Sequence, residues 1–235
     1  MIESHLELIG AASEAPSPAE SETASEVSNL ISSATNLAHA LAWLPGQTDT
    51  RPFVVRCEAL SRAFRPLFAA LRTPPVENVS EDLVSLHENL LLLQSELQDA
   101  CGTFCGPHKL PQARTPEGEL VPRVAAIAAD YLAAVSYRFT PESLAEYMQA
   151  YQDVAVLDKA ELWKLIPALK LILLDQIAQR GRRLLQDPAR SYGVTYMVFS
   201  LRQIRQTTWK LVIEPLIRFD RVLREDPADA YSRLD

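Results

Sequence analysis

The stretch Glu161 to Ile177, "ELWKLIPALKLILLDQI", constrains the fold more than any other part of the chain. Leu162, Leu165, Ile166, Leu169, Leu173 and Ile177 recur at three- and four-residue spacing, which puts them on one face of a helix, and Leu171 and Leu174 widen that face. Lys164, Lys170 and Asp175 interrupt every apolar run well short of the ~20 residues needed to cross a bilayer. The stretch therefore belongs in a protein core. Asp158, three residues before Glu161, supplies a capping-box start. Pro167 costs roughly 3 kcal/mol in a helix interior. Five or six buried leucines at about 1.5 to 3 kcal/mol each outweigh it. A kinked, deeply buried helix follows.

The rest of the sequence agrees with a helical protein. Of 235 residues only 7 are Gly while 16 are Pro, and runs of β-branched and aromatic residues are missing, so helices broken by prolines are expected rather than sheets. Leu30, Ile31, Leu37, Leu41 and Leu44 mark a helix from Val27 that ends at "PGQTD". A second runs from Pro52 to Leu71 with Pro66 inside it. Ser80, Glu81 and Asp82 read as the hydroxyl cap and dipole-facing acids of a third, which carries Leu83, Leu86, Leu90, Leu93 and Leu97. Residues 101–120 read as a long loop. Helices follow at Val121 to Ser136 and at Pro141 to Tyr151, the latter capped by Thr140. A last helix is predicted from Tyr192 to Glu225 with Pro215 as a kink. The fold class is all-α: a bundle of six to seven helices, several of them Pro-kinked, forming one domain over residues 27–235. Residues 1–26 are rich in Ser, Ala, Glu and Pro and are predicted to form a disordered acidic arm.

Charge is uneven. The first fifty residues carry seven acids and no Lys or Arg, which accounts for the net charge of −7. Arg180 to Arg224 holds ten basic residues against Asp187, Glu214 and Asp220. Arg202, Arg205, Arg218, Arg221 and Arg224 are spaced to line a helix face, which suits a solvated surface or a contact with protein or anionic lipid. Few aromatics interleave with them, so no nucleic-acid partner is expected. Three cysteines with no secretory signal suggest a reducing compartment, with the bacterial cytoplasm as the default location.

Chemistry is sparse. "CGTFCGPH" brings Cys101, Cys105 and His108 within eight residues, a weak zinc pattern that would need Cys57 or His87 as a fourth ligand. The alternative is unliganded loop cysteines. Trp163, Tyr151, Tyr147 and Trp209 could form an aromatic platform for a sugar, or simply pack in the core. No nucleophile elbow, P-loop, H-E-x-x-H or dinucleotide fingerprint is present. No catalytic residue and no cofactor are assigned.

Three stretches, "PRVAAIAADYLAAVSYRFTPESLAEYMQAYQDVAVL", "AELWKLIPALKLILLDQIAQRGRRLL" and "SLRQIRQTTWKLVIEPLIRFDRVLREDPADAYSRLD", resemble the N-terminal helical region of cyclic β-1,2-glucan synthases. The most specific elements are Arg138 to Thr140, Ala150-Tyr151-Gln152, Glu161-Leu162-Trp163 leading to Pro167, and "LREDPADAY". Those synthases are large inner-membrane proteins in which a glycosyltransferase part builds glucan from UDP-glucose on a protein tyrosine and a phosphorylase-like part sets its length. The resemblance implies a non-catalytic scaffold ahead of both, peripheral to the inner membrane and continued in a longer polypeptide or served by a partner chain. The partners it implies are the catalytic domains, an anionic membrane surface and β-1,2-glucan itself. Two alternatives stay open: a glucan-binding module, and a Cys/His metal-dependent enzyme.

Overall fold

A computed structural model describes residues 18–49, 51–73, 79–104 and 110–217. In chain order the elements are α1 (Pro18–Ala40), β1 (Ala42–Thr48), α2 (Arg51–Ala70), α3 (Glu81–Glu88), α4 (Leu90–Phe104), β2 (Pro111–Arg114), β3 (Leu120–Pro122), α5 (Arg123–Ala134), α6 (Pro141–Val154), α7 (Lys159–Gln186), α8 (Val194–Gln206), α9 (Trp209–Ile213) and a 3₁₀ turn (Glu214–Leu216). The protein is all-α with one small sheet.

Helix α7 is the centre of the bundle. Its 28 residues extend about 42 Å at 1.5 Å per residue, continue through Pro167, and pack against α2, α3, α4, α5 and α8. Leu162, Leu165, Leu169, Leu171, Leu173, Leu174 and Ile177 are all fully buried, so apolar positions surround much of the helix rather than forming one stripe. Asp158 Oδ1 accepts the Glu161 amide at 2.7 Å while Glu161 Oε2 accepts the Asp158 amide at 3.1 Å, the reciprocal capping box read from the sequence. Gly181 lets α2 and α3 approach, because a Cβ there would lie 2.9 Å from Leu67 Cδ2 and 3.5 Å from Leu86 Cδ1. Helix α1 lies across α5 and α6 on the other side.

Helix α6 starts where expected, with Thr140 Oγ1 accepting the Ser143 amide at 3.1 Å. Four other expectations are corrected. First, α1 begins at Pro18 rather than Val27, so part of the expected arm is helical. Its Ala and Glu residues are good helix formers, and proline suits the first helical position. Residues 1–17 lie outside the described residues.

Second, the helix expected to run from Ser80 past Leu97 divides at Asn89. The Asn89 side-chain amide donates to Ser85 O at 2.8 Å, competing with the helical ladder, and its oxygen accepts from Arg202. Ser80 holds the N-cap backbone conformation but its hydroxyl makes no capping bond. Third, the segment read as a loop over 101–120 contains the end of α4 and most of a hairpin, β2 and β3. The turn closes through Thr115 N to Glu119 O and Gly118 N to Thr115 O, both 2.9 Å, with Gly118 at φ 88°. The sheet order is β1-β2-β3, all antiparallel. Trp43 pairs with Ala113 and Ala113 with Val121, and the register is irregular between Leu44 and Thr48. Strand β1 lies on an edge, the position that tolerates its Pro45.

Fourth, the long C-terminal helix breaks after Gln206. Thr207 and Thr208 leave the helical region, Thr207 Oγ1 bonds back to Gln203 O at 2.7 Å, and the Trp209 indole donates to Ile204 O at 2.9 Å. Pro215 then sits in the 3₁₀ turn. Two of seven expected helices thus divide, giving nine among the described residues.

Candidate functional site

Several described residues of the stretches quoted above, Arg123, Phe139, Gln152 and Glu161 among them, lie at the junctions between elements. Arg123, at the start of α5, reaches into the first turn of α7, where its Nε donates to Glu161 Oε1 at 2.8 Å and its terminal nitrogen to Glu161 Oε2. The same nitrogen also donates to Val156 O at 3.2 Å. Both side chains are almost completely buried, and the guanidinium lies 4.9 Å from the centre of the Trp43 ring on β1. One arginine thus ties the sheet, α5, the α6–α7 connection and α7 together. Tyr151, on α6, is 1% exposed, and burial pushes its phenol up to about 12. Gln152 donates to Leu216 O at 2.9 Å and so holds the C-terminal 3₁₀ turn.

Arg138, Phe139 and Thr140 connect α5 to α6 after two successive left-handed residues, Ser136 at φ 51° and Tyr137 at φ 61°. The Tyr137 amide bonds Leu132 O at 2.7 Å, closing a Schellman-type end on α5. Phe139 is buried and its amide donates to Ser200 Oγ at 2.9 Å, which fixes the connection to α8. Arg138 stays outside and stacks 4.2 Å from the centre of the Tyr196 ring.

Helix α8 is held by charges from both sides. Its N-terminus, led by left-handed Gly193, has no cap of its own. Asp82 of α3 supplies one: Oδ1 accepts from the Thr195 amide and hydroxyl, both at 2.8 Å, and Oδ2 accepts from the Tyr192 amide at 2.5 Å and the Ser191 hydroxyl at 3.0 Å. Burial alone would raise this carboxyl, but the bonds from Thr195 and Tyr192 outweigh it and bring it to about 2. Further along, Glu96 of α4 is fully buried between Lys170 of α7 and Arg205 of α8.

The structure places the expected contact residues differently from one another. Arg202 and Arg205 lie on the exposed side of α8, but each is also tied inward, Arg202 to Asn89 and Arg205 to Ser95 Oγ and Glu96. Arg218, Arg221 and Arg224 lie outside the described residues, as does "LREDPADAY". The aromatic platform is not assembled. Tyr147 and Tyr151 are buried, Trp209 packs 5.9 Å from Phe139, and of the four only Trp163, 38% exposed, turns a substantial surface outward. Tyr147 cannot stack on a sugar because its hydroxyl is bound to Asp130 inside the α1–α5–α6 contact, which, with burial, raises its pKa. Among the described residues no three His, Cys, Asp or Glu side chains converge as metal ligands, and Cys105 and His108 lie outside them. His87 is engaged through Nδ1 with Leu71 O at 2.7 Å.

Sequence reasoning did not single out the aromatic pair on the outer face of α8. Tyr196 and Phe199, 53% and 56% exposed, stand one turn apart, with Arg138 over the first and Arg202 beside the second. Next to Phe199 runs a groove of about 410 Å³ between α3 and α8, lined by Val79, Val84, Val198 and Arg202 among others. The signal lay in the phase of α8: these aromatics fall between the buried positions Val194, Met197, Val198 and Leu201. No helix among the described residues is long and apolar enough to cross a membrane. Neither any family model nor any curated protein matches the chain.

Proposed function

We propose that the chain is a non-catalytic helical scaffold and docking module of a cyclic β-1,2-glucan synthase-like system, with glucan synthesis carried out by catalytic domains in cis or in a partner chain. The observation that carries this reading is the outer face of α8. It presents two half-exposed aromatics, Tyr196 and Phe199, flanked by Arg138 and Arg202. Aromatic residues and arginines are the residue types that dominate binding energy at protein interfaces. The inward bonds of Arg202 and Arg205 restrict both side chains before any partner arrives, which lowers the entropy lost on docking. The residues that carry the resemblance support a scaffold by their positions, since Arg123, Gln152, Phe139 and Glu161 join elements to one another.

The test is a titration of the purified chain against the purified transferase part of a cyclic β-1,2-glucan synthase, read by isothermal calorimetry. Replacing Tyr196 and Phe199 by Ala is expected to weaken association by 10-fold or more, about 1.4 kcal/mol per factor of ten, with the circular dichroism spectrum unchanged. The chain alone is expected neither to hydrolyse UDP-glucose nor to transfer from it. Turnover that survives repurification and tracks this chain overturns the scaffold reading, and unchanged affinity in the double variant removes the α8 face.

A further inference from the structure

Helices α3 and α8 run side by side, in the same direction and in step. Asp82 bonds Thr195 at the start of both, and Asn89 bonds Arg202 seven residues further along each. Seven residues are two helical turns, so equivalent positions on the two helices stay level over that length. The groove between them keeps the same step. On α3 it is lined by Glu81, Val84, Ser85 and Glu88, and on α8 by Thr195, Val198, Phe199 and Arg202. Both sets are spaced i, i+3, i+4 and i+7, the stripe that two helices of a coiled coil turn toward a third.

The two walls differ in charge. On α3 the exposed Val84 stands between the exposed carboxylates of Glu81 and Glu88. Helix α8 has no acidic residue. Its crest is Tyr196, Phe199 and Arg202, with Arg138 over the Tyr196 ring and Arg205 one turn beyond. Val198, buried, forms the floor.

We infer that this groove binds an amphipathic helix of a partner protein, with an apolar seam on Val84, Val198 and Phe199, basic residues on the flank facing α3 and acidic residues on the flank facing α8. The inference rests on the outer face of α8 being a docking surface, and adds the second wall and the form of the occupant. Contact with α8 alone would leave Val84 uncovered and the matched stripe of α3 unused. An anionic membrane would meet Glu81 and Glu88 as like charges, whereas a helix carrying both signs meets each wall with its opposite. The eight residues of α3 rise about 12 Å, so the occupant makes its contacts over two to three turns.

The experiment titrates the full chain with three stapled helical peptides of about 14 residues, or about four turns. All have Leu at heptad positions a and d. One carries Lys on one flank and Glu on the other, the second Lys on both, and the third Glu on both. The mixed peptide is expected to bind with amide shifts confined to α3 and α8, and each control at least about 10-fold more weakly. Glu81→Lys with Glu88→Lys should shift the preference to the all-Glu peptide with the circular dichroism spectrum unchanged. Glu88→Lys alone, away from the start of α3, serves if the double variant unfolds. Equal affinity for all three peptides, shifts outside the groove, binding of none, or displacement of the mixed peptide by phosphatidylglycerol vesicles would each overturn the proposal. The same double variant should also lose at least about 10-fold in affinity for the purified transferase part of a cyclic β-1,2-glucan synthase. If replacing Tyr196 and Phe199 weakens that association and the α3 variant does not, docking on α8 stands and the helix in the groove falls. If the transferase part does not bind while the mixed peptide does, the groove stands and the partner proposed above falls.

Discussion

The cap that Asp82 places on α8 predicts how stability responds to acid. The carboxyl lies at about 2 in the folded protein against an ordinary 3.8. A folded-state value below the unfolded one stabilises at pH above the unfolded pKa, and that stabilisation fades as pH falls toward the folded pKa. The window is therefore pH 4 to 2. At about 1.4 kcal/mol per pH unit the full shift corresponds to roughly 2.4 kcal/mol, and allowing for solvent screening leaves about 1–2 kcal/mol. Asp82→Asn removes the titrating charge and turns an amide NH₂ toward donors at Tyr192 and Ser191. At pH 7 it should cost about 2–3 kcal/mol, as for charged hydrogen bonds left half-made. Wild type and variant share every other titrating group, so the gap between them isolates this one. Between pH 6 and pH 2.5 it should close by roughly two-thirds of the screened value, or about 1 kcal/mol. Urea unfolding followed by far-ultraviolet circular dichroism at the two pH values measures it, provided the denaturant slopes match. A second readout is local: the amide shifts of Tyr192 and Thr195 in the wild type should titrate with a midpoint near 2. An unchanged gap, or amide midpoints near 4, would refute the trans cap.

Two further substitutions probe the ties around α7. Glu161→Ala leaves Arg123 buried without its carboxylate and removes half of the capping box, so it should cost about 3–5 kcal/mol in urea unfolding. The Arg123→Met, Glu161→Met pair should be distinctly more stable than the sum of its single variants, and simple additivity would show that the two side chains are not coupled. Gly181→Ala sets a methyl against Leu67, which is fully buried and cannot swing out. Overpacking of about 1–3 kcal/mol then exceeds the helix-propensity gain of about 1 kcal/mol, and the thermal midpoint should fall. A rise would mean that α2 and α7 have slack between them.

What was legible in the sequence was local. The period of α7, the caps at Thr140 and Asp158 and the proline at the start of α6 each depend on neighbours within four residues, and all four are as read. What was not legible depends on partners far away in the chain. Asp82 was read as an acid facing its own helix dipole, whereas the groups that bind it lie 109 to 113 residues further on. Asn89 breaks a leucine-periodic helix while holding Arg202, 113 residues distant. The strands are too short for an alternating pattern, and β2 is anchored by Gln112 donating to Asp49 O, 63 residues back. Of the candidate contact residues, spacing put Arg202 and Arg205 on an exposed face, but nothing local could tell that Tyr151 is interior and Trp163 is not.

This division bears on how a resemblance should be read in a chain of this kind. Glu161, Tyr151, Gln152 and Phe139, among the residues that most clearly carry it, are all buried. Glu161, Gln152 and Phe139 each bond a different element. At such positions a change leaves a buried donor, acceptor or charge unsatisfied, at a cost of about 1–3 kcal/mol or more, whereas most surface changes cost under about 0.5 kcal/mol. Residues at such joints serve the packing of the bundle and say little about the surface that meets a partner. Among the described motif residues, Arg138, Thr140 and Trp163 are the exposed exceptions. Arg138 stacks on Tyr196 at the edge of the α8 face, so it belongs both to a quoted motif and to the proposed docking surface. Arg138→Ala, which leaves the buried Phe139 and the Thr140 cap in place, should weaken docking without lowering the melting temperature. A loss of stability with docking intact would return Arg138 to the set of structural ties.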